Sequence, residues 1–257
     1  MMNSLDDLKS SIISQFGTPC SVIDLDIIEN NIHRVQRICD AAGVDNRPHI
    51  KTHKSPVLAK MQLKAGALGI ACQKLGEAEV MADAGIDDIL ICTNILGAAR
   101  SGRLTKLQKK IPLKVCADNP VSLKEYSKAA QAANRPLDIL IECDTGNKRA
   151  GVEKPSEALS LIKSIIEDKW LKFKGLLYYP PLDGWEDTQS FHDDLTKMLD
   201  ELNLKAKIIS TGGTPNFANI GRLKGATEHR AGTCIFNDMM MVEDGFAQIS
   251  DCAFRVF

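Results

Sequence analysis

Short apolar runs recur along this chain at fairly even intervals, and the segments between them read as helical. Eight runs stand out: Arg47–Lys51, Leu68–Gln73, Asp88–Thr93, Leu113–Asp118, Leu137–Asp144, Phe173–Pro180, Lys207–Gly213 and Thr227–Thr233. Several are nearly continuous in Ile, Leu, Val and Cys, the pattern of strands covered on both faces. The intervals between them are long enough for crossover helices. A doubly wound open sheet would alternate in the same way, so it is the count of eight that selects an α/β fold of the (β/α)8 TIM-barrel type.

Helix starts fall where this frame needs them. Pro56 follows the first run, Asn119-Pro120 the fourth and Pro155-Ser156 the fifth, each suited to a first helical turn. Two segments lie outside the eight-fold pattern. Thr18–Leu25 reads as an extra strand before a helix over Ile27–Ala42, and Ala247–Phe257 reads as another strand after the eighth run. The chain stops inside that last apolar run, with no turn or cap.

Composition narrows the partners. A chain of 257 residues with 44% hydrophobic content can bury a full core as one large domain. A formal net charge of −1, with acids and bases interspersed, offers no footprint for nucleic acid or an anionic membrane. No run is long enough to span a bilayer, and Met1–Gln15 fits an amphipathic helix, not a secretory signal. Of the eight cysteines, Cys72, Cys92, Cys116 and Cys143 sit in apolar runs as small buried hydrophobes, and no CxxC or Cys/His metal spacing occurs. Reduced thiols and a cytoplasmic protein that handles a small molecule are the expectation.

The candidate chemistry gathers at the C-terminal ends of the expected strands, where such barrels place their sites. The run Arg47-Pro48-His49-Ile50-Lys51-Thr52-His53-Lys54 crowds three cations and two histidines into eight positions. Lysine in basic surroundings is ordinarily solvated surface. At the end of a buried strand, however, neighbouring cations push its amine toward the neutral form that attacks carbonyls, so Lys51 reads as a Schiff-base lysine. After the seventh run, Thr211-Gly212-Gly213-Thr214 offers backbone amides and hydroxyls to an anion, and Gly232-Thr233 closes the eighth. A nucleophilic lysine opposite a phosphate cradle calls for a phosphorylated aldehyde, of which pyridoxal 5'-phosphate is the commonest. Arg149 and Arg230 are available to tune its ring, and Tyr178 or Tyr179 to pack on it or hydrogen-bond its substituents. His53 could face the ring, whereas His49 reads as packing and Lys54 as lying beyond the strand. Asp183, Trp185 and Asp187 suggest an exposed lid, and Met239-Met240-Met241 ordinary packing.

The segment Arg47–Lys54 resembles the cofactor-lysine motif of the D-threonine aldolase and D-serine dehydratase group, which shares its barrel with alanine racemase. The resemblance extends to Asp144-Thr145-Gly146, Arg149-Ala150-Gly151, Ser210–Pro215 and Thr227–Asp238, and so spans most of the chain. It implies a barrel of pyridoxal phosphate fold type III over residues 27–240. Residues 1–26 would form an N-terminal helix and strand, and 241–257 the start of a C-terminal β domain. By resemblance Lys51 holds the cofactor, Arg149 lies near its phenolic oxygen and Arg230 faces its pyridine nitrogen. Thr211, Gly212, Gly213, Gly232 and Thr233 match phosphate-binding positions, with Thr214 beside them. Tyr179-Pro180-Pro181 departs from the Tyr-x-Gly-His style of that loop.

The resemblance further implies a homodimer and a divalent metal (Mn, Mg or Zn), held by a His and Cys or Asp pair in the C-terminal domain. His33, His192 and His229 have no neighbouring ligands at metal spacing, so none is expected to bind one. The implied activity is retro-aldol cleavage of a β-hydroxy D-amino acid to glycine and an aldehyde. D-serine dehydration and amino-acid racemization stand as alternatives. A non-catalytic pyridoxal phosphate carrier, or an inactive truncated copy, stands as an alternative of another class.

Overall fold

The computed structural model describes residues 5–257, so Met1–Ser4 of the expected N-terminal helix lie outside the described residues. The chain runs α1 (Leu5–Phe16), β1 (Ser21–Ile23), α2 (Leu25–Ala42), β2 (Asp45–Asn46), α3 (Pro56–Lys64), β3 (Ile70–Cys72), α4 (Leu75–Asp83), β4 (Ile89–Ile91), α5 (Ala98–Lys110) and β5 (Leu113–Ala117). It continues through α6 (Pro120–Ala133), β6 (Leu137–Cys143), α7 (Pro155–Glu167), β7 (Leu171–Tyr178), α8 (Trp185–Asp200), β8 (Ile208–Gly212), β9 (Glu228–Arg230), α9 (Met239–Glu243) and β10 (Phe254–Val256). Short 3-10 turns occupy Thr214–Asn219, Thr233–Ile235 and Ile249–Asp251.

Strands β2 to β9 form one parallel sheet in the order β2-β9-β8-β7-β6-β5-β4-β3; seven of them overlap the second to eighth runs, and β2 lies just before the first. Hydrogen bonds past the end of β2 join its two edges. Leu68 N–H donates to Asn46 O, Ala71 N–H to Pro48 O and Ile50 N–H to Ala71 O, each at 2.9 Å. On the other side Arg47 N–H donates to His229 O at 2.9 Å and His49 N–H to Ala231 O at 2.8 Å. The sheet therefore curls into a barrel.

Regular strand structure ends early at β2 because Pro48 has no N–H to contribute to the ladder. The strand expected over Arg47–Lys51 is therefore found at Asp45–Asn46, with only an isolated bridge from His49 to Ala71 beyond it, and Lys51 opens the following turn, in which Lys54 N–H donates to Ile50 O at 2.8 Å. The helices wrap the barrel with the caps their sequences supply. Asp24 accepts from Ile27 N–H at the start of α2, Asn119 accepts from Ser122 N–H ahead of Pro120, and Gly43 ends α2 in the left-handed region at φ 65°. The extra strand β1 pairs antiparallel with β10 outside the barrel. In the tail only Phe254–Val256 is strand; the rest of the expected run holds a 3-10 turn. The expected lid at Trp185 is instead the first turn of α8, with the indole buried.

The main core lies between sheet and helices. Ile70, Ile89, Ile91, Val115, Ile139, Ile141 and Leu176 meet Met81, Leu104, Leu123, Ile162 and Leu195 from the surrounding helices. A much smaller apolar group, Leu90, Cys116, Leu140 and Leu177, points into the barrel. Among the described residues no helix is long and apolar enough to cross a membrane.

Candidate active site

The C-terminal ends of the strands open on a cavity of about 650 Å³. Lys51, Arg149, Tyr179, Gly213, Thr214, Arg230, Gly232 and Thr233, separated by up to 182 positions in the chain, all line it. Three other selected residues do not. His53 turns toward α3, its ring bonded to Gln62 Oε1 at 3.2 Å and accepting Ser55 N–H at 3.0 Å, so it does not reach the cavity. Thr211 faces outward from β8 and shares a 2.9 Å hydrogen bond with His229 Nδ1. Gly212 faces inward, but its part is to leave room. A Cβ there would stand 3.0 Å from an Arg230 guanidinium nitrogen.

The chemistry at Lys51 follows from its surroundings. Its side chain is open to the cavity mouth, yet partial burial, with Arg149 and then Arg230 nearby, lowers its proton affinity below that of a free lysine. Cys92 and Glu77 oppose the shift without cancelling it. Lys54 is engaged elsewhere, its ammonium bonded to Glu77. Arg149 does not pair with Asp144 through its side chain. The Asp144 carboxylate instead accepts the backbone N–H of Arg149 at 2.7 Å, of Gly146 at 2.9 Å and of Lys148 at 3.1 Å, which shapes the loop. The Arg149 guanidinium lies over the Tyr179 ring, 4.4 Å from its centroid. Tyr178 instead points into the outer core and bonds His192 Nδ1 at 3.2 Å.

The two glycine loops form one wall. Gly213 sits at φ +111°, and a Cβ on it would approach Asn216 Nδ2 to 3.2 Å and the Tyr179 ring to 3.3 Å. A Cβ on Gly232 would come within 2.8 Å of His49 O. Thr214 Oγ1 accepts the N–H of Gly232 at 3.3 Å and of Cys234 at 3.4 Å, tying the loops together. Bare backbone can thus approach the cavity from both loops, the property an anion cradle needs.

Sequence reasoning missed His49, Gln73, Cys92, Glu142, Met240 and Met241, which also line the cavity. A signal existed for Glu142: it has the same two-residue parity on β6 as Leu140, so a charged side chain in an apolar run marks the barrel interior. Burial raises its carboxyl, helped by Asp118 and opposed by Arg230 and Arg149. His49 is held neutral, its proton affinity driven down to about 3 by burial and then by Lys51 and Arg230. Cys92, half-buried at the cavity wall, has its thiol raised to about 11 by burial. Among the described residues no group of three or more His, Cys, Asp or Glu is placed to hold a metal ion.

The described wall therefore fits a ligand with an aldehyde for Lys51, an anionic group for the glycine loops and a flat ring between arginines. The family model for the alanine racemase N-terminal domain matches residues 23–239. The 3-hydroxy-D-aspartate aldolase of Paracoccus denitrificans (strain Pd 1222) is 32% identical over 217 residues, covering 79% of this chain and 56% of the relative. The D-threo-3-hydroxyaspartate dehydratase of Delftia sp. (strain HT23) is 32% identical over 251 residues, covering 93% of this chain and 66% of the relative. The crystal structure of D-threonine aldolase from Filomicrobium marinum superposes with a TM-score of 0.85 at 28% identity, covering 93% of this chain and 68% of that one. The chain thus spans 56% and 66% of the lengths of these two curated relatives.

Proposed function

The chain belongs to the alanine racemase N-terminal domain family, and on that premise we propose that it is a pyridoxal 5'-phosphate-dependent lyase acting on β-hydroxy D-amino acids. Its reaction is retro-aldol cleavage of the Cα–Cβ bond to glycine and an aldehyde. The observation that carries this reading is the opening of Lys51, its proton affinity lowered, into the same cavity as Arg230 and both glycine loops. The resemblance of the relatives, two aldolases and a dehydratase of hydroxylated D-amino acids by name, supports the substrate class.

Lys51 would hold the cofactor's aldehyde carbon. Gly213, Thr214, Gly232 and Thr233 would hold its phosphate, Arg230 its pyridine nitrogen, and Arg149 with Tyr179 the edge bearing the phenolic oxygen. When bound, pyridoxal 5'-phosphate supplies a carbonyl for the substrate amine and a ring that withdraws electron density from the bonds at Cα. The chain's own groups prepare that chemistry. The lowered proton affinity of Lys51 favours the neutral amine that would attack the aldehyde, and the free amine would be placed to move a proton beside Cα. An arginine, which does not give up its proton, opposite the pyridine nitrogen disfavours protonation there and limits how much charge the ring accepts. His49, neutral in the working range, adds no competing charge beside Lys51.

Purified protein mixed with pyridoxal 5'-phosphate should develop a visible absorption band, and borohydride should fix the cofactor on Lys51. Lys51→Ala should lose both completely. A persistent band in that variant would overturn the lysine assignment, and cofactor bound at Lys51 without release of glycine from D-threonine or 3-hydroxy-D-aspartate would overturn the aldolase assignment.

A further inference from the structure

Arg230 does not stand alone at the cavity floor. Its guanidinium donates to Ser210 Oγ with one terminal nitrogen and to Tyr178 O, at 2.9 Å, with the other. The Ser210 hydroxyl donates to Glu228 Oε1 at 2.6 Å, so its lone pairs are turned toward Arg230. The second oxygen of Glu228 accepts Arg47 Nε at 2.7 Å. Arg47 is bonded in turn to Asp88, and Lys114 Nζ reaches both Asp88 oxygens at 3.0 Å. A column of alternating charge thus descends the barrel axis from the cavity toward the opposite end. Its inner members are deeply buried: Arg47 is 1% exposed, Ser210 0%, Glu228 1% and, at the cavity floor, Arg230 5%.

The sheet makes room for this column at two glycines. A Cβ on Gly69 would collide with Asp88 Oδ1 at 2.5 Å and with Arg47 at 2.6 Å, and one on Gly212 would press on Arg230. Ser210, Glu228 and Arg230 are brought together by the pairing of Ser210 with Glu228 and of Gly212 with Arg230 across β8 and β9. Burying so many charges has a cost that apolar packing would avoid, so the arrangement calls for a reason beyond stability.

We infer that Ser210 and Glu228 are positioning residues for Arg230: the carboxylate orients the serine hydroxyl, and the hydroxyl with Tyr178 O fixes the plane of the guanidinium presented to the cavity. A planar fork held at two corners cannot turn about its long axis, so its remaining N–H groups keep one direction. The consequence for the cofactor rests on the cavity being the pyridoxal phosphate site; the restriction of Arg230 does not.

The test uses the whole chain with 15N-labelled arginine, comparing wild type with Ser210→Ala and Ser210→Thr. In the wild type the Arg230 guanidinium, assigned by its loss in Arg230→Lys, should give separate NMR signals for its terminal nitrogens through hindered rotation. Ser210→Ala should merge them, and Ser210→Thr, which keeps the hydroxyl, should retain them. With pyridoxal 5'-phosphate, Ser210→Ala should bind about tenfold more weakly, as expected for losing one hydrogen bond to a charged group, and its visible band should shift. Ser210→Thr should restore affinity and band. Should Ser210→Ala fail to fold, Glu228→Gln carries the same readouts. Arg230 signals in the folded variant as well separated as in wild type would overturn the inference, as would unchanged cofactor affinity. A wild type that binds no pyridoxal 5'-phosphate would instead overturn the proposed function, leaving the NMR comparison to decide the positioning role.

Discussion

Ile139 and Leu140 are neighbours on β6, both fully buried, yet they belong to two different interiors. Ile139 lies in a continuous apolar layer between sheet and helices. Leu140 belongs to a group of four buried apolar side chains inside the barrel, beneath a cavity lined by Lys51, Arg149, Arg230 and Glu142. One face of the sheet is bound by exclusion of water, the other by paired charge. The outer layer can do its work with any well-packed hydrophobes, whereas the inner one depends on particular atoms at particular distances.

Acid should strike both faces, and it gives the largest expected loss of stability. Burial holds His229, on the outer face, down to about 4, and His49, on the inner face, down to about 3; His53 under α3 is held near 4. In the unfolded chain each would take up a proton near pH 6.5. Between there and about pH 4 the unfolded state binds more protons, so the stabilisation is full above pH 6.5 and drains away as pH falls. Each such histidine contributes a slope of about 1.4 kcal/mol per pH unit. Denaturant titrations from pH 7 to pH 4.5 should show this decline, with His49→Asn and His229→Asn each flattening it. A slope untouched by His229→Asn would remove His229 from the acid response.

Core truncation separates the faces at a smaller scale. Ile139→Ala leaves a dry hole between sheet and helices and should cost about 2–5 kcal/mol, with cofactor affinity unchanged. Leu177→Ala borders the cavity, where water can fill the gap, so its cost should be roughly half that while cofactor affinity falls. Equal stability losses, measured by thermal or urea unfolding, would show that the two interiors are packed alike.

This division also explains what could be read from the sequence. The outer layer was legible because most strands write it as Ile, Val and Leu: seven of the eight runs hold their strand, and the first, interrupted by Pro48, has its strand just ahead of it at Asp45–Asn46. Lys51, Arg230 and the loops at Gly213 and Gly232 were legible because polar residues at strand ends stand out from the runs before them. Less legible were side chains whose direction depends on strand parity or on a partner distant in sequence. Thr211 and Ser210 are adjacent, but only the ladder to β9 shows that the serine faces Glu228 and the threonine His229. His53 was two residues from Lys51, and the turn forced by the end of the Pro48 strand rotated it toward Gln62. Cys92 and Met240 read as packing, and nothing local distinguishes a core residue from one that meets a cavity.

Gly212 marks the boundary between these kinds of information. Beside Gly213 it reads as part of a flexible phosphate loop, but it is the last residue of β8, and its backbone needs no positive φ. Its missing Cβ matters to one neighbour, Arg230: a Cβ would stand 3.0 Å from a guanidinium nitrogen, 3.2 Å from the backbone O and 3.4 Å from Cζ. Gly212→Ala should therefore fold normally, with about 1 kcal/mol or less of stability lost to a local overlap. The guanidinium, tethered by Ser210 and Tyr178, would have to yield by a few tenths of an ångström, and cofactor affinity should fall about threefold. Gly213→Ala, at φ +111°, must strain the backbone as well and should lose more of both. Parallel cofactor titrations and melting curves of the two variants separate a glycine kept for its neighbour's side chain from one kept for its own backbone. A Gly212→Ala protein as damaged as Gly213→Ala would return Gly212 to the loop and remove it from the Arg230 column.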